Sequence, residues 1–295
     1  MGAMADRLAV TKGHGTENDF VLVPDLDGAL GLSPARAAWL ADRRAGLGGD
    51  GVIRVVPTER AEESAVRDQA GVARWFMDYR NADGSAAEMC GNGTRVFAEY
   101  LRREGLESAD EFVIATRAGA KQVRREGGQW TVALGPWRLV DPVTADRDGS
   151  DARVHIGDGE PFSALSVDLG NPHTVVALPE GVDLAGLDLG RAPLVRPAPA
   201  EGTNVELVRP IGPGHVAMRV HERGVGETRS CGTGACAAAV ATSFWAGSLD
   251  TGATWRVDVA GGRLTVHLLP GHGVELAGPA VLVADGSVPL ALLPD

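Results

Sequence analysis

The sequence predicts an α+β fold in which one unit is built twice. Short β-prone runs alternate with Gly-, Asn- and Pro-bearing turns along most of the chain. Three helical segments interrupt them, and two of these open alike: Cys90-Gly91-Asn92-Gly93 and Cys231-Gly232-Thr233-Gly234, one in each half. A chain of 295 residues also suits roughly two domains of ~150 residues.

The first strands fall at Leu8-Ala9-Val10, Phe20 to Val23 and Val52 to Val56, apolar runs bounded by turn formers. A helix is expected from about Pro34 to Arg44. Ser33 caps it, Pro34 takes the first position, where a missing N–H is harmless, and Gly46 ends it. Residues 59–71, ERAEESAVRDQAG, are polar and read as an exposed loop. Trp75 to Tyr79 returns to strand. A second helix spans Thr94 to Arg103, with Val96, Phe97, Tyr100 and Leu101 on one face.

Strands FVIAT, KQVRR and WTVAL occupy residues 112–140. Ser163 to Leu169 leads into Gly170-Asn171-Pro172-His173 and a strand from Thr174 to Leu178. The Pro-rich residues 191–201 read as a loop. Val205 to Val208 and Val216 to Val220 are strands. A third helix starts after Cys231 and runs to Gly247. WRVDVA, RLTVHLL, GVELAG and AVLVA give short strands near the end.

Hydrophobic residues make up 44% and charged residues 23%, which excludes wholesale disorder. Lys and Arg number 28 against 39 Asp and Glu, for a net charge of -11. Duplex nucleic acid, which selects a clustered basic face, is therefore not expected as a partner. No apolar run approaches the ~18 residues of a membrane helix. The opening MGAMADRLAV lacks the basic start and long apolar stretch of a secretory signal, and Met1 to Ala3 read as a cloning remnant. Cys90, Cys231 and Cys236 are too few and odd in number for a disulfide framework, so a reducing cytoplasm is expected.

The two Cys-Gly-X-Gly segments carry the chemistry. A helix start offers free backbone N–H groups and about half a positive charge. Glycines let those amides approach a carboxylate closely. A cysteine there has its thiolate favoured, and its pKa is expected to fall from ~8.5 toward neutrality. Two such thiols on opposite sides of one bound anion suit inversion at an amino-acid α carbon: one removes the proton and the other returns one to the opposite face.

At these residues the chain resembles the diaminopimelate epimerase family. The matching segments are GHGTENDF (13–20), GLGGDG (46–51), YRNADGS (79–85), MCGNGTR (89–95), LGNPHTVV (169–176), EGTNVE (201–206) and ERGVGETRSCGTGACA (222–237). They cover nearly the whole chain in the family's order.

The resemblance implies two pseudo-symmetric domains, each a barrel-like β-sheet wrapped around a central helix. The expected domains are residues 1–134, joined by the C-terminal strand 277–295, and residues 135–276. It implies interconversion of LL- and meso-diaminopimelate by two-base transfer, with no cofactor, no metal and no membrane partner, in a homodimer. Cys90 and Cys231 are then the acid/base pair. His173 and Glu222 tune their pKa values. Asn18, Asn81, Asn171, Asn204, Glu222 and Arg223 contact substrate, and Gly91, Asn92, Gly232 and Thr233 supply helix-start amides. Two departures stand out: Gly51 replaces a frequent Gln, and GTENDF replaces GLGNDF with Asn18 kept.

Blander readings accompany several of these residues. Cys236, flanked by alanines, reads as core. Asn81-Ala82-Asp83-Gly84 is by itself a turn signal. Glu222-Arg223 could form an ordinary surface ion pair. GLGGDG lacks the GxGxxG spacing of a dinucleotide site. Zinc would need more than Cys231, Cys236 and a stray histidine. Among enzymes, proline racemases and hydroxyproline epimerases resemble MCGHG and DRSPCGTG, whereas this chain has MCGNG and ETRSCGTG. A thiol redox protein, with Cys90 and Cys231 forming a disulfide on oxidation, is the reading from another class.

Overall fold

The computed structural model describes residues 7–157, 159–249 and 252–294. Met1 to Ala3 lie outside the described residues. In chain order the strands are β1 (Arg7–Gly15), β2 (Asn18–Pro24), β3 (Gly51–Pro57), β4 (Trp75–Asn81), β5 (Glu111–Ala115), β6 (Lys121–Glu126), β7 (Gln129–Pro136), β8 (Arg138–Leu139), β9 (Ala152–His155), β10 (Phe162–Asp168), β11 (Pro172–Ala177), β12 (Leu194–Arg196), β13 (Asn204–Gly212), β14 (His215–Glu222), β15 (Gly226–Thr228), β16 (Thr254–Val259), β17 (Gly262–Leu268), β18 (Gly273–Gly278) and β19 (Val281–Pro289). The helices are α1 (Pro34–Ala41), α2 (Ser64–Arg67), α3 (Gly91–Arg103), α4 (Pro142–Asp148) and α5 (Gly232–Trp245). They fall into two compact units, Met1–Val132 with Gly278–Asp295, and Ala133–Ala277.

In the first unit β1 pairs antiparallel with both β19 and β2. β2 runs parallel to β3, and β3 antiparallel to β4. The strands pack around α3, which touches β1, β2, β3, β4 and β19. Gly91 through Ala98, Tyr100 and Leu101 are all buried, so α3 is enclosed on most sides rather than lying on a surface. Its last turn carries Arg102 and Arg103, where cations suit the helix dipole.

The second unit repeats the scheme around α5. β10 pairs antiparallel with β11, β11 runs parallel to β13, and β13 is antiparallel to β14. α5 packs on β10, β11, β13, β14, β16 and β17. Small residues from Gly234 to Ala241 let those strands approach it, and all eight positions are buried.

The register of the repeat is preserved. Phe20 lies opposite Gly51 in the first unit, and His173 opposite Asn204 in the second. Counting from those pairs, Asn18 corresponds to Asn171 and Ile53 to Glu206.

Several elements differ from the sequence expectation. α1 starts as expected, with Ser33 accepting the Arg36 N–H, but ends at Ala41. Asp42 Oδ1 takes the N–H groups of Arg44 and Ala45 and turns the chain before Gly46. Within 59–71 the short helix α2 buries Val66. The Pro-rich segment contributes β12, paired with β9. The unexpected α4 has Asp141 capping the Thr144 N–H, Pro142 at its start and left-handed Gly149 at its end.

Candidate active site

Cys90 is the N-cap of α3. Its Sγ accepts the Gly93 N–H at 3.4 Å. The thiol donates toward Asn18 Oδ1 at 3.6 Å, and Asn92 Nδ2 donates to the same oxygen at 3.2 Å. Asn18 cannot turn over freely, because its Nδ2 is held by Asp50 Oδ2 at 2.6 Å. Asp50 is itself anchored by Arg43, which also bridges to Asp19. Lys12 reaches Asp19 at 2.6 Å. Burial raises the Asp19 pKa, but Arg43 and Lys12 together outweigh it and hold the carboxyl well below the usual range.

Asn81 ends β4 directly opposite Gly51. Its Nδ2 donates to Ser85 Oγ at 3.1 Å, so the turn reading describes its present bonds. A Cβ on Gly51 would lie 2.5 Å from both Arg80 O and Tyr79 Cε2. This backbone therefore leaves no room at position 51 for the side chain of the frequent Gln.

Cys231 caps α5 with the same geometry and accepts the Gly234 N–H at 3.4 Å. Thr233 Oγ1 lies 3.7 Å from its Sγ and accepts from Asn171 Nδ2 at 3.3 Å. Asn171 Oδ1 meets His173 Nε2 at 3.1 Å, and His173 Nδ1 meets Glu206 Oε1 at 2.7 Å. His173 and Glu206 are fully buried.

Glu222 accepts from the Thr228 hydroxyl, and its carboxyl lies near enough to Cys231 for the two to interact electrostatically. Its neighbour Arg223 turns instead to Glu201, 3.9 Å away, so the two do not form the surface pair of the bland reading. Asn204 is a strut: its Oδ1 accepts the Arg223 N–H at 2.9 Å and its Nδ2 donates to Pro172 O at 3.2 Å. Cys236 is wholly buried, as a core residue would be.

The second cysteine departs from the expected lowering. Burial pushes the Cys231 thiol well above its ordinary pKa, and the negative charges of Glu222 and Glu206 add to this. The Gly234 N–H and the Thr233 hydroxyl oppose it and lose. A helix terminus contributes typically 0.3–1 kcal/mol, whereas full burial can move a pKa by up to ~3–5 units. Glu222 is pushed up by its own burial first, then by Glu206. The thiol form of Cys231 is thereby favoured over the thiolate.

Asp50 and Glu206, which bond Asn18 and His173, escaped the sequence reading. Both sit inside quoted motifs. The available signal for Glu206 was a charge set inside the apolar run Val205, Leu207 and Val208. Among the described residues no three His, Cys, Asp or Glu side chains are grouped to hold a metal ion. None of the three cysteines is in a disulfide. No described helix is long and apolar enough to cross a membrane.

The family model described as diaminopimelate epimerase matches residues 10–140 and 165–283. The chain is 50% identical over 297 aligned residues to the diaminopimelate epimerase of Streptomyces coelicolor, covering 98% of each chain. It is 49% identical to that of Thermobifida fusca, covering 96% of this chain and 98% of the other. Among solved structures, a Bacillus anthracis phenazine biosynthesis protein of the PhzF family aligns with a TM-score of 0.66 at 17% identity, covering 96% of this chain and 99% of that one. A hydroxyproline epimerase from Agrobacterium vitis gives 0.64 at 15%, covering 97% and 94%. At such identities these two structures speak for the fold alone.

Proposed function

Because the chain belongs to the diaminopimelate epimerase family, we propose that it interconverts LL- and meso-2,6-diaminopimelate, with Cys90 and Cys231 as the acid/base pair. The observation that carries the reading is the matched pair of N-caps. Each cysteine begins the enclosed helix of its unit, and each sulfur receives the N–H of the glycine three residues on.

The chemistry follows from what an amino-acid α carbon needs. Its C–H is a very weak acid, and the electron pair left on proton removal must spread onto the carboxylate. Helix-start amides at Gly91, Asn92, Gly232 and Thr233 offer donors for that developing charge. One thiolate takes the α proton and becomes a thiol. The other thiol gives its proton to the opposite face and becomes a thiolate. The stereocentre is inverted, and the two sulfurs have exchanged protonation states.

The remaining groups support the reading by what they touch. Asn18 and Asn171 flank the two N-caps directly or through Thr233. Glu222 acts on the Cys231 thiol through its charge, and His173 reaches it through Asn171 and Thr233. Asn81, Asn204 and Arg223 are assigned to the substrate's polar ends. A reducing cytoplasm, which keeps both sulfurs in thiol form, and a homodimer complete the proposal; light scattering checks the latter.

A coupled assay tests the function. LL-diaminopimelate with reductant and no added cofactor should give the meso isomer, while proline as control substrate should not racemise. Turnover of proline in place of diaminopimelate would overturn the assignment.

A further inference from the structure

The two units hold their cysteine helices on different floors. A Cβ on Gly93 would lie 3.3 Å from Ile53 Cδ1 and 3.4 Å from Phe20 Cζ, so the first helix start rests on apolar side chains. A Cβ on Gly234 would lie 2.7 Å from Glu206 Oε1 and 3.2 Å from Cys231 Sγ. The second helix start rests on a carboxylate, and only a glycine lets it come so close. The register makes the exchange position for position: Phe20 and Ile53 in the first unit are His173 and Glu206 in the second. The repeat has kept its geometry and replaced an apolar pair by an ionisable one.

That replacement is costly unless it is used. A buried carboxylate and imidazole must be desolvated together, and their attraction does not reliably repay it. Glu206 Oε2 is buried without a hydrogen-bond partner. An apolar pair of similar size already fills the same place in the first unit, so packing does not demand the charges.

We propose that Glu206 is a positioning residue for proton transfer at Cys231: its carboxylate accepts Nδ1–H of His173, fixes the ring, and through Asn171 and Thr233 holds the hydroxyl that meets Cys231 Sγ. The path is continuous, at 2.7, 3.1, 3.3 and 3.7 Å. Both partners of the ring are acceptors, so His173 donates Nδ1–H to the Glu206 carboxylate and Nε2–H to Asn171 Oδ1. A second carboxylate near Cys231 is that of Glu222, on β14. The assignment rests on the proposed epimerase reading and makes the two cysteines unequal, since Phe20 and Ile53 stand in the first unit where His173 and Glu206 stand in the second.

The test is Glu206→Gln, which keeps shape and removes charge. The kcat should fall about 100-fold, the lower end of what general acid–base catalysis contributes. The KM for LL-diaminopimelate should stay within about threefold, because the carboxylate acts through Cys231 and not on bound substrate. The pH profile of kcat should shift. The downfield proton resonance of His173 Nδ1–H, assigned by its absence in His173→Phe, should move. A purely structural role would lower melting temperature while leaving kcat and its pH profile as in wild type, and would overturn the proposal.

Should Glu206→Gln not fold, the double variant His173→Phe/Glu206→Ile copies the floor of the first unit. Folded protein with undiminished kcat would contradict the assignment. Wild-type protein with no turnover would overturn the functional reading as well, whereas an active wild type with an unaffected Glu206→Gln overturns this inference alone.

Discussion

Asn18 presents its carbonyl oxygen to Cys90, 3.6 Å from the sulfur, because Asp50 holds the other end of the amide at 2.6 Å. The orientation is set from outside the cysteine loop, by a carboxylate anchored on Arg43. Asp50→Ala releases the amide. Asp50 is partly exposed, so the loss is modest: kcat/KM should fall about tenfold, or ~1.4 kcal/mol. Steady-state kinetics check this, with melting temperature as a control for folding.

The three cysteines should separate cleanly. Cys90→Ala and Cys231→Ala should abolish epimerisation, since each removes a proton carrier. Cys→Ser at either site should retain substrate binding by calorimetry and lose turnover, because a hydroxyl is a far weaker acid. Cys236→Ala should remain active. Its side chain is wholly buried in α5, so the cost is ~1 kcal/mol of stability from lost packing.

Gly234→Ala probes the floor of the second helix start. Alanine favours helix by ~1 kcal/mol over glycine, so propensity alone would stabilise the protein. The added Cβ would meet Glu206 Oε1 at 2.7 Å and crowd Cys231 Sγ. Activity should drop by at least about tenfold while the helix content by circular dichroism is retained. Full activity would mean that the close approach of carboxylate and helix has no part in catalysis.

Burial raises the pKa of Cys231 and of Glu222 above their ordinary values. A group raised in the folded state contributes stability that is complete below its unfolded pKa and is lost as pH rises through the folded value. For Cys231 that window opens above ~8.5. Wild-type melting temperature should therefore decline on the alkaline side, and decline less in Cys231→Ser. Glu222→Gln removes one negative charge beside the sulfur. Alkylation of Cys231, followed by peptide mass mapping, should then reach half its maximal rate at a lower pH than in wild type.

The parts of this account written in local signals were readable from the chain. Cys90 and Cys231 each precede a glycine pair and a helix-forming run, and both prove to be N-caps. Ser33-Pro34 set the start of α1 but not its end, because the stop comes from the Asp42 side chain rather than Gly46. α4 carried a complete set of signals in Asp141, Pro142 and Gly149, yet its weak apolar pattern hid it. What stayed hidden depends on tertiary neighbours. Cys231 alone advertises a helix-lowered thiol; only the fold buries it and brings Glu222 and Glu206 near it, which reverses the sign. Glu206 and Asp50 act on groups far away in sequence, so no spacing rule marked them.

The most direct measurement is the fate of the α hydrogen in deuterium oxide. LL-diaminopimelate is incubated with the protein and reductant, and the product is analysed by mass spectrometry and NMR. The account predicts meso product carrying deuterium at the inverted carbon, and no labelled product from Cys90→Ala or Cys231→Ala. Meso product that keeps the original hydrogen, or labelled meso product formed equally well without either thiol, would contradict it.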